Sequence, residues 1–134
     1  MTEDKRWQQR FDNYQKVLVQ LEKFVAKGNA LSEMEGQGLI KSFEYTYELG
    51  WLTMKDYLQS LGNIDLFGSR DSIQRGFQRG LIIDGQGWMD MYKDRIKTAH
   101  TYKQETAQEV IKAITERYFT LFKDFEKRML GLAS

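Results

Sequence analysis

The stretch Ile40-Lys41-Ser42-Phe43-Glu44-Tyr45-Thr46-Tyr47-Glu48-Leu49-Gly50-Trp51-Leu52-Thr53-Met54-Lys55-Asp56-Tyr57-Leu58-Gln59-Ser60-Leu61 decides the fold. Ile40, Phe43, Tyr47, Met54, Leu58 and Leu61 recur at intervals of three, four and seven, which is the period of one helical face. Gly62-Asn63 closes the run. A second line of residues borders that face. Glu44, Glu48, Trp51 and Lys55 lie within about 60° of one another at 100° per residue. They are read either as a solvated polar face, with Glu48 near Lys55 and Glu44 repelling Glu48, or as the wall of a polar pocket.

Working outward, the same period appears on both sides and strand alternation appears nowhere. Trp7, Phe11, Tyr14, Leu18, Leu21 and Val25 form a first stripe that ends at Gly28-Asn29. After the long helix, Ser69 is placed to cap a short helix with Ile73, Phe77 and Leu81 on one side, and Gly76 and Gly80 leave room for close packing. Asp84-Gly85-Gln86-Gly87 reads as a turn. A further helix is expected from about Trp88 to Ala99. Thr106 and Glu109 have capping-box spacing at the start of the last helix. Its stripe is Val110, Ile111, Ile114, Tyr118, Leu121, Phe122, Phe125 and Met129. Long amphipathic helices with short connections bury their stripes by packing antiparallel. The expected fold is all-α: an antiparallel up-and-down four-helix bundle with an additional short helix, forming a single domain over residues 1–134.

Composition narrows the chemistry. The 134 residues contain no proline, which permits long helices, and no cysteine, which rules out disulfides and thiolate metal sites. With one histidine as well, no metal site is expected. A net charge of +1 provides no bulk attraction to nucleic acid, so any RNA contact has to be local. No apolar run reaches the roughly 20 residues of a membrane span, and the N-terminus lacks a signal-peptide core. A cytoplasmic protein without a membrane partner is expected.

The single histidine lies in Asp94-Arg95-Ile96-Lys97-Thr98-Ala99-His100-Thr101-Tyr102, an Arg-x4-His-x-Tyr run. A guanidinium forks onto phosphate, an imidazole titrates near neutrality, and a phenol stands close by. Trp88, Tyr92, Arg95 and Ala99 share a face, which puts Arg95 on the apolar side of its helix. Arginine there needs a paired charge. Two readings stay open: an ion pair with Glu44 or Glu48, or a phosphate clamp. His100 lies about 140° round an ideal helix from Arg95. The two converge only if the helix ends near Ala99 or a second subunit brings its own copy. His100 also suits the negative end of the helix dipole. As functional groups, Arg95 and His100 fit metal-independent ribonuclease catalysis, and Tyr102 fits an acceptor of nucleotidyl transfer by another protein. No P-loop or paired-Asp site for activating a nucleotide is visible.

Ser42 to Trp51, Lys55 to Leu58, Phe77-Gln78-Arg79-Gly80-Leu81-Ile82 leading to Trp88, and Asp94-Arg95 through Tyr102 together resemble the nucleotidyltransferase substrate-binding proteins. This is a branch of the HEPN superfamily that includes the HepT toxins. The resemblance implies a helical bundle that dimerises and works with a separately encoded MNT-type nucleotidyltransferase. That partner holds Mg2+ and the nucleoside triphosphate; no cofactor is expected on this chain. It implies a non-catalytic substrate- or nucleotide-binding subunit, with Glu44, Tyr47, Glu48, Trp51, Lys55, Trp88, Arg95 and His100 lining a groove or interface. The alternative it carries is a ribonuclease toxin with Arg95 and His100 as catalytic groups, silenced by nucleotidylation of Tyr102. Whether the chain is an enzyme is thereby left open. HEPN ribonucleases usually place a polar residue, often Asn, directly after the arginine; Ile96 stands there in this chain, which favours the binding-subunit reading.

Overall fold

A computed structural model describes residues 6–63 and 65–133. Among them, helices α1 (Arg6–Val25), α2 (Glu33–Ser60), α3 (Ser69–Gln78), α4 (Gly85–Lys97), α5 (Gln104–Ala113) and α6 (Phe119–Ala133) follow in order, with no strand. A five-residue π turn, Ile114–Tyr118, joins α5 to α6 into one long rod. There the Thr115 hydroxyl donates to the carbonyls of Ile111 and Lys112, 3.0 and 3.2 Å away. The four rods α1, α2, α4 and α5–α6 form the up-and-down bundle, and α3 is the additional short helix. α2 is the hub, packing against α1, α3, α4 and α5.

The expected stripes supply the core. Trp7, Phe11, Tyr14, Leu18 and Leu21 of α1 meet Leu39, Ile40, Phe43, Tyr47, Met54 and Leu58 of α2. Aromatic rings fill the centre: Trp88 stands edge-on to Phe122 and Phe125, each 5.7 Å away between centroids. The Tyr14 hydroxyl spans the bundle and donates to the Phe122 carbonyl at 2.7 Å. Burial, followed by the Glu126 charge, pushes its phenol well above the ordinary tyrosine range.

Helix ends depart from the expected boundaries. α2 opens with a full capping box between Ser32 and Glu35. It closes with Gly62 at φ +100°, where the Asn63 and Gly62 amides bond back to Leu58 and Gln59. Leu61 is therefore a cap residue and 59% exposed, not part of the apolar face. Ser69 is the first residue of α3; Gly68 holds the cap position without a side-chain bond. Gly76 is packed against Met54 as expected, since a Cβ there would meet the Met54 sulfur at 3.0 Å. Gly80 faces open space and instead supplies the left-handed φ of +75° that ends α3. Asp84 is no turn residue but the cap of α4, accepting from the Gly87 amide at 2.8 Å. Thr106 and Glu109 form no capping box, because α5 begins earlier, with Lys103 at the cap position and no side-chain bond. Its extended backbone already sets the turn.

Candidate functional site

α2 and α4 bring the Arg-x4-His-x-Tyr run against the polar stripe. α4 ends at Lys97, and the chain tightens into a 3-10 turn over Thr98–His100. This is the helix ending that the sequence geometry demanded if Arg95 and His100 were to approach each other. Thr98 locks the transition: its hydroxyl donates to the Arg95 carbonyl at 2.6 Å and accepts from Arg95 Nη1 at 3.0 Å. Gln37 of α2 pins the far side by donating to the Thr101 carbonyl at 2.9 Å. The tightened turn also rotates Ala99 outward, so it is exposed and leaves the face assigned to Arg95.

The guanidinium of Arg95 turns toward α2. Its Nε stands 3.4 Å from Glu48 Oε1 and its Nη2 3.9 Å from Glu44 Oε2. The ion-pair reading of Arg95 is thus realised with both candidate acids. Neither contact is a well-formed hydrogen bond, and Nε is left without an acceptor of proper geometry. Lys41 approaches Glu44 Oε2 at 3.6 Å, and the Trp51 indole donates to Glu48 Oε2 at 3.0 Å. The Arg95 side chain keeps 33% of its surface in contact with solvent. A pair this accessible contributes about 1 kcal/mol or less, so it orients the arginine more than it stabilises the bundle.

Tyr47 forms the floor, 1% exposed, and its hydroxyl beside Ser69 makes no hydrogen bond of good geometry. Burial, with Glu48 and Tyr92 nearby, pushes the phenol up to about 12, against the opposing pull of Ser69 and Arg95. His100 is exposed at the end of the 3-10 turn. Its ring stands edge-on to Tyr102, 6.1 Å between centroids, and Tyr102 itself is 76% exposed. Ile96, in the last turn of α4, is 61% exposed. Asp94, on the other side of α4, accepts from the Tyr118 hydroxyl and lies 3.6 Å from Lys97.

Two of the expected site residues are elsewhere. Trp88 is a core residue, 1% exposed, two turns before Arg95 on α4. Lys55 lines a separate notch against α1. The structure therefore gathers Glu44, Tyr47, Glu48, Trp51 and Arg95, with His100 and Tyr102 on the adjoining turn. Sequence reasoning missed Thr98, Lys41 and Gln37. The spacing of three between Arg95 and Thr98 was a usable signal; nothing local announced Gln37.

The cluster has a definite chemical character. Two carboxylates accept and one guanidinium donates, so a hydroxyl- or amine-bearing group is accommodated readily. A phosphate meets Glu44 and Glu48 unless those side chains swing away from Arg95. Among the described residues no group of three or more His, Asp or Glu side chains is arranged to hold a metal ion, and no helix is long and apolar enough to cross a membrane.

Comparisons with known proteins agree with this architecture. The bundle is similar to the crystal structure of a Thermus thermophilus protein at a TM-score of 0.79 and 24% identity, covering 87% of this chain and 98% of that one. It is also similar to HI0074 of Haemophilus influenzae, at a TM-score of 0.66 and 25% identity, covering 92% and 96%. The structure of HI0074 is described as revealing the fold of a substrate binding domain of a nucleotidyltransferase. No functionally curated protein matches the chain. Residues 9–130 match the model of the family described as nucleotidyltransferase substrate binding protein like. With nearly its whole bundle inside that match, the chain belongs to the nucleotidyltransferase substrate-binding protein family.

Proposed function

We propose that this chain is the non-catalytic, substrate- or nucleotide-binding subunit of a two-component nucleotidyltransferase. It forms a homodimer and works with a separately encoded MNT-type subunit that supplies Mg2+, the nucleoside triphosphate and the transfer chemistry. The observation that carries this reading is the family match over residues 9–130. The part-exposed Arg95 between Glu44 and Glu48 supports it, because an arginine held by acids is poised to orient a polar substrate group. Co-expression with the MNT-type protein encoded beside it is expected to yield a stable complex. Repeated failure to co-purify with a tag on either protein overturns the proposal.

One observation favours a second reading, a HEPN-type ribonuclease toxin neutralised through Tyr102. The Tyr102 phenol is 76% exposed beside His100, which suits modification by another protein. Against it, Arg95 is engaged by two carboxylates and Ile96 follows it. Expression without the partner then arrests growth, and His100→Ala relieves the arrest. Harmless expression together with intact RNA in the presence of purified protein removes this reading. Incubation with the partner and ATP, followed by mass spectrometry, separates the two: a nucleotidyl adduct on Tyr102 belongs to the toxin reading.

A further inference from the structure

The start of α4 forms one wall of a cavity of about 400 Å³ that shares no residue with the Arg95 cluster. Its floor is core: Leu81, Ile82, Trp88, Leu121 and Phe125 line it, and all are buried. The connection from α3 to α4 makes its side. Gly80 turns the chain there, and Arg128 of α6 fastens the turn by donating from Nε to the Gly80 carbonyl at 3.1 Å. A volume of this size falls within the roughly 300–1,000 Å³ range of small-molecule sites.

One polar atom in this apolar floor has no partner. A Cβ on Gly50 would lie 3.4 and 3.7 Å from Cη2 and Cζ3 of Trp88, so the benzene edge of the indole faces α2. The pyrrole edge, with Nε1, therefore points away from α2. Trp88 is 1% exposed, and its Nε1 donates to no acceptor among the described residues. The atom is nonetheless not sealed in. Among the described residues, the side-chain polar atoms both unpartnered and shut off from solvent are the Tyr47 hydroxyl and Arg95 Nε. Access to Trp88 Nε1 runs through the cavity that Trp88 lines. The less buried Trp51, by contrast, has its N–H bonded to Glu48 at 3.0 Å. A water against the Trp88 edge finds one donor and an apolar floor, short of the two to four partners that hold a buried water.

The rim sets the charge of what fits. Asp84 accepts from the Gly87 amide at 2.8 Å and has Arg117 Nη2 3.8 Å away. Asp124 and Arg128, of opposite charge, stand one turn apart on α6. Each acid is thus matched by a cation, and an uncharged ligand avoids the cost of stripping water from an ion over an apolar floor. An indole N–H lies in the plane of its ring and is met best by an in-plane lone pair, such as that of a ring nitrogen. The rings of Trp88 and Phe125 favour a flat aromatic body beside them.

We propose that this cavity binds a small uncharged nitrogen heteroaromatic, whose ring nitrogen accepts from Trp88 Nε1 while its flat body covers Leu121 and Phe125. The site uses none of the Arg95 cluster and needs no partner, so it stands or falls separately from the subunit reading. Titrating the isotopically labelled full chain with quinoline, and separately with free indole, tests it by chemical shifts. The two probes are similar in size and shape, but only quinoline carries an in-plane acceptor. Saturable shifts are expected at the amides of Ile82, Ile83 and Leu121 and at the Trp88 indole N–H. Quinoline binds about tenfold more tightly than free indole, which covers the Trp88 N–H and leaves it unpaired. N-methylquinolinium, with its acceptor blocked and a charge added, binds more weakly still. Leu121→Phe, which extends a ring into the cavity, abolishes the saturable shifts; the quinoline–indole comparison decides the matter even where that variant fails to fold. A free heterocycle and the base of a nucleoside share this chemistry. Adenosine that displaces quinoline identifies the second, and quinoline that adenosine does not displace identifies the first. Shifts that do not saturate, free indole or N-methylquinolinium binding as tightly as quinoline, or a folded Leu121→Phe variant that binds like the parent overturns the proposal.

Discussion

Around Glu44 and Glu48, two carboxylates hold one guanidinium; at Asp56, one carboxylate holds the guanidinium of Arg10. Both arrangements are built on α2, and Glu44 and Lys55 are about 16 Å apart along its axis at 1.5 Å per residue. In the linear sequence they form one polar stripe. The bundle splits that stripe because α2 meets different neighbours along its length. α4 delivers Arg95 to the early turns, while α1 delivers Arg10 to the later ones. The two pairs also differ in depth. The Asp56 side chain is 10% exposed and bonded, among the described residues, to Arg10, whereas Glu44 and Glu48 keep 17% and 42% of their surfaces and have Lys41 and Trp51 as further partners. The arginines are about equally accessible, 38% for Arg10 and 33% for Arg95, so it is the deeper burial of the Asp56 carboxylate that sets the two pairs apart.

Gly50 separates the two regions, and crowding it disturbs both together. A Cβ there would lie 3.3 Å from the Tyr14 ring and 3.4 Å from Trp88, so Gly50→Val pushes α1 and α4 away from α2 at once. A loss of about 3 kcal/mol is expected in urea unfolding, with both polar clusters perturbed. Breaking each pair singly comes next. Arg10→Met removes the donor that serves the buried Asp56 carboxylate and costs about 2 kcal/mol. Arg95→Met costs about 1 kcal/mol or less, since Lys41 and the Trp51 indole still serve the two acids. Equal losses from the two variants would show that burial does not rank these pairs.

The smallest effect at neutral pH comes from Tyr47, at the floor of the Arg95 cluster. Its phenol is pushed up to about 12 by burial, while an unfolded tyrosine titrates near 10. Between those values the unfolded chain gives up its proton first, so stability is full below pH 10 and falls as pH rises. The loss attributable to Tyr47 reaches about 1 kcal/mol by pH 11. Tyr47→Phe shows a shallower alkaline decline in melts between pH 9 and 11. An unchanged slope would place the phenol in contact with solvent.

Much of the fold was legible because apolar spacing is a local property. Trp7 through Leu21, and Val110 through Met129, needed only the helical period to be recognised as buried faces. Helix ends were less legible. Ser69, Asp84 and Thr106 all have side chains able to cap, but only Asp84 does so, because capping also depends on the backbone of the preceding turn. Leu61 continued the stripe numerically yet fell on the Schellman turn and faces solvent. In the candidate site, an ion pair of Arg95 with Glu44 or Glu48 was one of two readings the sequence left open, the other being a phosphate clamp, and the structure pairs it with both acids. The separation of Lys55 and the burial of Trp88 did not follow, because each depends on which helix lies opposite.

Taken by itself, the sequence determined an all-helical bundle, most of the residues that fill its core, and the presence of a polar stripe on α2 and of an Arg-x4-His-x-Tyr run further along the chain. Periodicity and the cost of burying an unpaired charge are sufficient for those conclusions. Only the tertiary structure decided that the stripe is divided, with Glu44 and Glu48 meeting Arg95 of α4 and Lys55 lying toward α1. It also decided that a 3-10 turn carries His100 and Tyr102 out to solvent while Arg95 stays clamped. The physical reason is that charge pairing between helices is set by which side chains meet across the packed faces. Those meetings depend on bundle order and on where each helix ends, and sequence period alone encodes neither.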